Sequence, residues 1–271
     1  MKYLQNLHTH TTFCDGKNSP REVLDIAIKK GFDSIGFSGH TVMTYSPFSR
    51  VTYESTAAYK KEINALKKEY EGKIKVFLGL EFDMFSDDDY SGLDYTIGSV
   101  HYLKIGDQYI GFDRDIPSMQ NVIDEHFGGN GMDFAKSYYR HLARLPEFYN
   151  YDIIGHFDLV NKHGRNASFF DSESKEYQSA AIEAAEALAG KIPFFEVNTG
   201  CIPRGYRDFP YPAPFIVKEL KRLGFGAVIT SDCHNADYLD AGFDAGRELL
   251  LSCGFKEYYV LTDSGFTPKE L

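Results

Sequence analysis

The sequence predicts an α/β barrel, parallel strands inside and helices outside, closed by about seven or eight strand–helix units. Three observations predict it. Short apolar runs alternate with longer amphipathic ones along the whole chain. No GxGxxG or GxxxxGK[ST] run follows any strand, which removes the usual nucleotide-binding reason for the runner-up, an open doubly wound sheet. Most telling, the apolar runs stop repeatedly at His, Glu or Asp, as they would where the carboxyl ends of barrel strands converge on one face.

The first strand, Tyr3 to Leu7, ends in His8-Thr9-His10. Ser19-Pro20-Arg21-Glu22 then supplies an N-cap, a proline at the first helical position and a capping-box glutamate, predicting a helix through Lys30 that Gly31 closes. Strand 34–38 runs into Gly39-His40, a Lys/Glu-rich helix is expected near 54–71, and strand 75–80 ends in Glu81. Strand 95–100 ends in His101. A long excursion follows, from Lys104 to about Glu147, in which Gly128-Gly129-Asn130-Gly131 precedes a helix near 132–145. Excursions after barrel strands shape or lid an active site, because loops there vary without disturbing the barrel. Strand 152–155 ends in His156, a helix near 172–189 leads to strand 194–198, and a helix near 212–223 leads to strand 226–231, which ends in Asp232-Cys233-His234. A helix near 237–252 and a last strand 257–261 complete one domain, 1–271, with the insertion at about 104–147.

Composition agrees with a single globular domain. The 271 residues are 43% hydrophobic and 25% charged. Asp and Glu outnumber Lys and Arg by 39 to 29, so a long nucleic acid, held mainly by phosphate neutralisation, is not an expected partner. No apolar run approaches the roughly 20 residues that span a bilayer, and the start MKYLQNLHTH lacks the regions of a signal peptide, so no membrane association and a cytoplasmic location are expected. Cys14, Cys201, Cys233 and Cys253 form no CxxC pair and read as free thiols. Nothing in the sequence indicates an oligomeric state.

Strand residues two apart share a face, so His8 and His10 can grip one ion. The strand ends together offer His8, His10, His40, Glu81, His101, His156, Asp232 and His234, and the loop after the first strand adds Asp15. Four ligands satisfy one ion in the commonest geometry, so nine groups imply two or three ions sharing carboxylates. Any one histidine is more often a hydrogen-bonded structural residue, but six of the nine histidines fall at strand ends. The others, His126, His141 and His163, are expected in solvated or packing roles. Such N/O donors suit Zn, Mn or Fe(II).

His8-Thr9-His10, Gly39-His40, Gly79-Leu80-Glu81-Phe82-Asp83, Gly98-Ser99-Val100-His101, Gly155-His156-Phe157-Asp158 and Ser231-Asp232-Cys233-His234, in that order, resemble the motifs of the PHP (polymerase and histidinol phosphatase) family, in particular its histidinol-phosphate phosphatase branch. The resemblance implies a distorted (β/α)7 barrel that hydrolyses phosphate esters with two or three divalent metal ions. It implies one ion held by His8, His10, Glu81 and Asp232, a second reached by bridging Glu81 and held by His101 and His156, and a third held by Asp15, His40 and His234. Many relatives carry a histidine where this chain has Asp15. A water between two ions, near Glu81 and Asp232, would have its pKa lowered toward neutrality and attack phosphorus, while Asp232 or His234 returns a proton to the leaving alkoxide.

Phosphate also calls for a guanidinium. Arg204 is the first choice by the resemblance and Arg207 the second, both in the loop after strand 194–198, with Arg165 a further candidate. Asp83 and Asp158, two residues beyond Glu81 and His156, are read either as partners that orient ligand imidazoles or as surface-facing aspartates. Asp87-Asp88-Asp89 reads as a solvated turn. The expected activity is hydrolysis of a small phosphate ester, L-histidinol phosphate. Alternatives are a nucleotide or phosphotyrosine phosphatase of the same family, an amidohydrolase-like enzyme acting on C–N bonds, and a non-catalytic metal-binding protein.

Overall fold

The computed structural model describes residues 3–47 and 49–271. Seven parallel strands form one sheet in the order β1 (Gln5–Asn6), β2 (Ser34–Phe37), β3 (Lys75–Asp83), β4 (Tyr95–Ser99), β7 (Ile153–Ile154), β8 (Phe194–Asn198) and β9 (Gly226–Thr230). The first and last strands meet beyond their ends. The His10 amide donates to the Cys233 carbonyl and the Cys233 amide to the His8 carbonyl, each at 2.9 Å. The sheet is therefore a nearly closed, distorted (β/α)7 barrel.

The helices outside it are α1 (Pro20–Lys30), α2 (Tyr53–Glu69), α5 (Lys175–Leu188), α6 (Pro214–Arg222) and α7 (Phe243–Ser252). Ser19 and Glu22 form the capping box that opens α1, and Gly31 closes it in the left-handed region at φ 79°. The helix expected over 237–252 is interrupted: a single turn at Ala236–Tyr238 precedes α7, and Gly242, at φ 77°, turns the chain between them.

The excursion after β4 holds more structure than its sequence pattern suggests. It contains a hairpin of β5 (Tyr102–Ile105) and β6 (Gln108–Gly111), then α3 (Ile116–Phe127) and α4 (Gly131–Leu142). The start signal for α3 is nonetheless present, since Asp115 accepts from the Ser118 amide and Pro117 sits in the first turn. The expected last strand is not part of the barrel. Residues Glu257–Thr262 (β10) pair antiparallel with Gly265–Glu270 (β11). Gln5 ties this hairpin to the barrel, its side-chain amide donating to the Leu261 carbonyl at 2.8 Å and accepting from the Leu261 amide at 2.7 Å.

Inside the barrel, Leu7, Phe77, Tyr95, Ile97, Ile153, Val228 and Leu261 form a small core distinct from the larger one between sheet and helices. Tyr95 fills it, its hydroxyl donating to the carbonyls of Leu7 and Phe37. Gly36 and Gly79 make room for that ring: a Cβ on Gly79 would lie 2.4 Å from Tyr95 Cζ, and one on Gly36 2.5 Å from its hydroxyl. The four cysteines are free. Among the described residues no helix is long and apolar enough to cross a membrane.

Candidate metal centre and active-site cleft

Glu81 sits near the end of β3, buried at the centre of the carboxyl-terminal face. One carboxylate oxygen lies 2.9 Å from His156 Nε2, 3.4 Å from His101 Nε2 and 2.8 Å from the Ser99 hydroxyl. The other lies 2.9 Å from His40 Nδ1, 3.3 Å from His8 Nε2 and 3.5 Å from His10 Nε2. Asp232, held in the left-handed region at φ 46°, places Oδ1 3.3 Å from His10 Nε2, 3.4 Å from His234 Nδ1 and 3.7 Å from His8 Nε2. Asp15 closes the outer side, with Oδ1 3.5 Å from His10 Nδ1 and Oδ2 3.2 Å from His234 Nε2 and 3.6 Å from His40 Nε2. All nine residues singled out in the sequence thus converge.

Within this cluster, His8, His10 and Asp232 form one set of donor atoms mutually within 4.8 Å, His40, Glu81 and His101 a second, and His10, Asp15, His40 and His234 a third. The ring of His10 faces two sets, Nε2 inward and Nδ1 toward Asp15. The donor chemistry fits divalent cations on a specific ground: His8 Nε2 and His10 Nε2 are buried without a hydrogen-bond partner, yet lie 3.3–3.7 Å from carboxylate oxygens. Buried polar atoms are otherwise almost always paired, and a shared cation satisfies both sides at once.

Electrostatics point the same way. Burial opposes a charge on His8, but Glu196, Glu81 and Asp232 outweigh it and hold the ring's pKa well above its usual value. His40 is raised in the same manner by Asp15 and Glu81, and His101 rises to about 10, chiefly through Glu81, against burial. His10 goes the other way, to about 3, through burial and the neighbouring His234 and His40. Burial would raise Glu81 and Asp232, but the surrounding rings, with Arg204 beside Asp232, hold both carboxyls well below the usual range. Protons on His8, His40 and His101 occupy the electrostatic role that cations would take.

The cluster floors a cleft of about 830 Å³. Its far wall comes from the excursion, including Tyr102, Tyr109, Asp113, Asn121 and Glu125. His126, expected in a solvated or packing role, is partly exposed and lines it. His141 does pack, accepting from the Lys104 amide and donating to the Ser137 carbonyl, and His163 is buried.

The three arginines part company. Arg204 lines the cleft, its NH2 3.0 Å from Asp232 Oδ2 and its Nε donating to the Gly200 carbonyl. Arg207 does not line it. That guanidinium is buried, 3.0 Å from Asp158, over the rings of Phe209 and Tyr211 at 4.4 and 4.5 Å. A buried cation must be paired, so Asp158 is committed to it, accepting also from the Ala213 amide, and does not orient His156. Arg165 is half-exposed outside the cleft, paired with Asp208 at 2.8 Å. Asp83, by contrast, does meet a candidate ligand ring: it accepts from the His101 amide at 2.8 Å and lies 3.6 Å from His101 Nδ1, while Tyr45 donates to its other oxygen. The acidic turn is only partly solvated, since Asp88 is buried and accepts from the Val42 amide and the Thr56 hydroxyl.

Sequence reasoning missed Glu196, which is wholly buried beneath the cluster with His8 Nδ1 at 2.8 Å. An acid inside the apolar run Phe194-Phe195-Glu196-Val197 was the available signal.

A seven-stranded barrel with this donor set at its carboxyl face defines a class, and residues 6–200 match the family model described as PHP domain: the chain belongs to the PHP family. Particular relatives extend along nearly its full length. It is 28% identical to the histidinol-phosphatase of Bacillus subtilis (strain 168), across 89% of this chain and 97% of that protein. It is 27% identical to the histidinol-phosphatase of Lactococcus lactis subsp. lactis (strain IL1403), across 92% and 91%. The crystal structure of histidinol phosphate phosphatase from Lactococcus lactis subsp. lactis Il1403, complexed with zinc, L-histidinol and phosphate, superposes with a TM-score of 0.74 at 24% identity, over 97% of this chain and 98% of that one.

Proposed function

We propose that this protein is a metal-dependent phosphomonoesterase that hydrolyses L-histidinol phosphate to L-histidinol and phosphate. The observation that carries the reading is the set of buried, unpaired ring nitrogens among three carboxylates, at the floor of a cleft that also presents Arg204. Relatives that match 89% and 92% of the chain and bear the histidinol-phosphatase name support the choice of substrate.

Two or three divalent cations, drawn from Zn, Mn or Fe, would be held by His8, His10 and Asp232, by His40, Glu81, His101 and His156, and by Asp15 and His234 with the shared rings. Such cations, when bound, supply the positive charge and the acidified water that an anionic ester needs at neutral pH. Glu81 ties the sets together, because its two oxygens face different rings. Asp232 is held ionised by Arg204 and the rings around it, so it accepts the proton of the attacking water. His234 donates Nδ1–H to the Asp232 carbonyl at 2.9 Å and Nε2–H to Asp15 at 3.2 Å, so Nε2 is the nitrogen that would exchange its proton for a cation and serve as a ligand. Between the two candidate proton donors, Asp232 is therefore favoured to return the proton to the leaving alkoxide. Arg204 reaches the same space and binds the phosphoryl oxygens. The excursion wall, with Tyr109 and Glu125, receives the organic half of the ester.

The test is phosphate release by protein loaded with Mn, Zn or Fe, comparing histidinol phosphate, a nucleoside monophosphate and a phosphotyrosine peptide. A kcat/KM for histidinol phosphate exceeding the others by orders of magnitude is expected. Preference for either competitor would move the substrate assignment within the family, and no metal-dependent release from any ester would overturn the phosphatase reading.

A further inference from the structure

Glu196 lies in the middle of β8, fully buried, and touches none of the space a substrate would occupy. Its carboxylate is surrounded by donors alone. Oε2 accepts from His8 Nδ1 and the Thr230 hydroxyl, each at 2.8 Å, and Oε1 from the His156 amide at 2.7 Å and the Asn198 side-chain amide at 2.8 Å. Three of these partners belong to the candidate metal centre or reach it: His8 and His156 are candidate ligands, and the same Asn198 nitrogen lies 3.4 Å from Asp232 Oδ2. A carboxylate can only accept, so Nδ1 of His8 keeps its proton, and when a cation displaces the other proton the lone pair is on Nε2, facing Glu81 and Asp232.

Building on the metal-dependent reading above, we propose that Glu196 is a positioning residue that fixes the tautomer and orientation of His8 for metal binding and, through the His156 backbone and Asn198, holds the neighbouring ligands in register with it. Two other rings are steered less directly, with Asp83 3.6 Å from His101 Nδ1 and Asp15 3.5 Å from His10 Nδ1, while His234 is held by a backbone carbonyl, that of Asp232, at 2.9 Å.

The arrangement makes glutamine a discriminating substitution. Either orientation of the amide in E196Q faces its NH2 toward two donors. The His156 backbone N–H cannot change, and Asn198 is held through Oδ1 by the Gly200 amide at 3.0 Å. His8 and Thr230 can adapt, Thr230 by rotating its hydroxyl and His8 by moving its proton to Nε2, the atom aimed at the cation. The ring then ceases to be a ligand while the shape of the core is preserved.

The experiment strips wild type, E196Q and E196D of metal and titrates each with Zn²⁺ against a competing chelator. Ion stoichiometry and Kd are read alongside far-UV circular dichroism and the urea midpoint. Expected is a loss of about 10- to 100-fold in affinity for one ion in E196Q, the size seen when a partner behind a ligand is removed, with restoration of kcat at high zinc. E196D keeps the charge but withdraws it by a methylene from contacts of 2.7–2.8 Å, so it too binds one ion more weakly, and it carries the test should E196Q not fold. Either folded variant retaining every ion at wild-type affinity overturns the inference while leaving the phosphatase reading intact. A wild type that binds no divalent ion overturns that reading, and this inference with it.

Discussion

Arg207 offers the sharpest test of how the loop after β8 works. The guanidinium and the Asp158 carboxylate are 3.0 Å apart with side chains 2% and 0% exposed, and the cation also rests on two aromatic faces. Arg207→Leu removes the cation and leaves Asp158 buried, with the Ala213 amide as its remaining donor. Breaking a buried pair in this way costs about 3–5 kcal/mol, because one charge is stranded. Loss of the two ring contacts is included in that range, since a desolvated cation over an aromatic face is worth on the order of 2 kcal/mol. Urea denaturation of the metal-free protein reads the change. Adding Asp158→Asn should recover much of it, because the neutral amide still accepts from Ala213 and no unpaired charge remains. By contrast, Arg204→Met should leave stability nearly unchanged and lower kcat/KM by about 10- to 150-fold, the kinetic equivalent of the roughly 1.5–3 kcal/mol carried by a hydrogen bond to a charged group. The assignment is refuted if Arg207→Leu loses under 1 kcal/mol while its kcat/KM falls as steeply as that of Arg204→Met, for then Arg207, not Arg204, would hold the phosphate.

Glu81→Ala, in steady-state phosphate release, should lower kcat by at least about 10²–10³-fold, the scale of losing one preorganised electrostatic group, and should reduce bound metal on elemental analysis. Metal affinity should climb with pH. Protons on His8, His40 and His101 compete with cations, and the His101 ring gives its proton up only near pH 10, so chelator competition between pH 6 and 9 should show steadily tighter binding. The metal-free protein should respond in the opposite sense: folded pKa values raised above about 6.5 contribute stability present below that pH and lost as pH rises through the folded value, about 10 for His101, which urea midpoints across that window would record. Gly79→Ala should cost about 1–3 kcal/mol by overpacking against Tyr95, seen as a lowered urea midpoint, and an unchanged midpoint would contradict the packing described inside the barrel.

The barrel and its candidate metal centre were legible along the chain because each depends on local order. An apolar run that stops at His8, His40, Glu81, His101, His156 or Asp232 shows both the strand and the position of its end, and parallel closure brings such ends together without further information. Helix α1 was legible for the same reason, its cap and its stop lying within a few residues of each other. Three things were not. The last strand has the pattern of a barrel strand, but whether it joins the sheet or folds back as a hairpin depends on what it meets, and Gln5 decides that from the opposite end of the chain. Arg204, Arg207 and Arg165 look alike in sequence, while their roles follow from which carboxylate each finds, Asp232 at the cleft, Asp158 in the interior or Asp208 at the surface. Glu196 has no local signature beyond an acid in an apolar run, since three of its four donors arrive from three other strands or their ends and only Asn198 from its own. Sequence alone determined which residue types end the strands, because period and polarity are properties of neighbours; only the tertiary structure decided which charges pair, because a buried charge is assigned by whatever the fold places within about 3 Å of it.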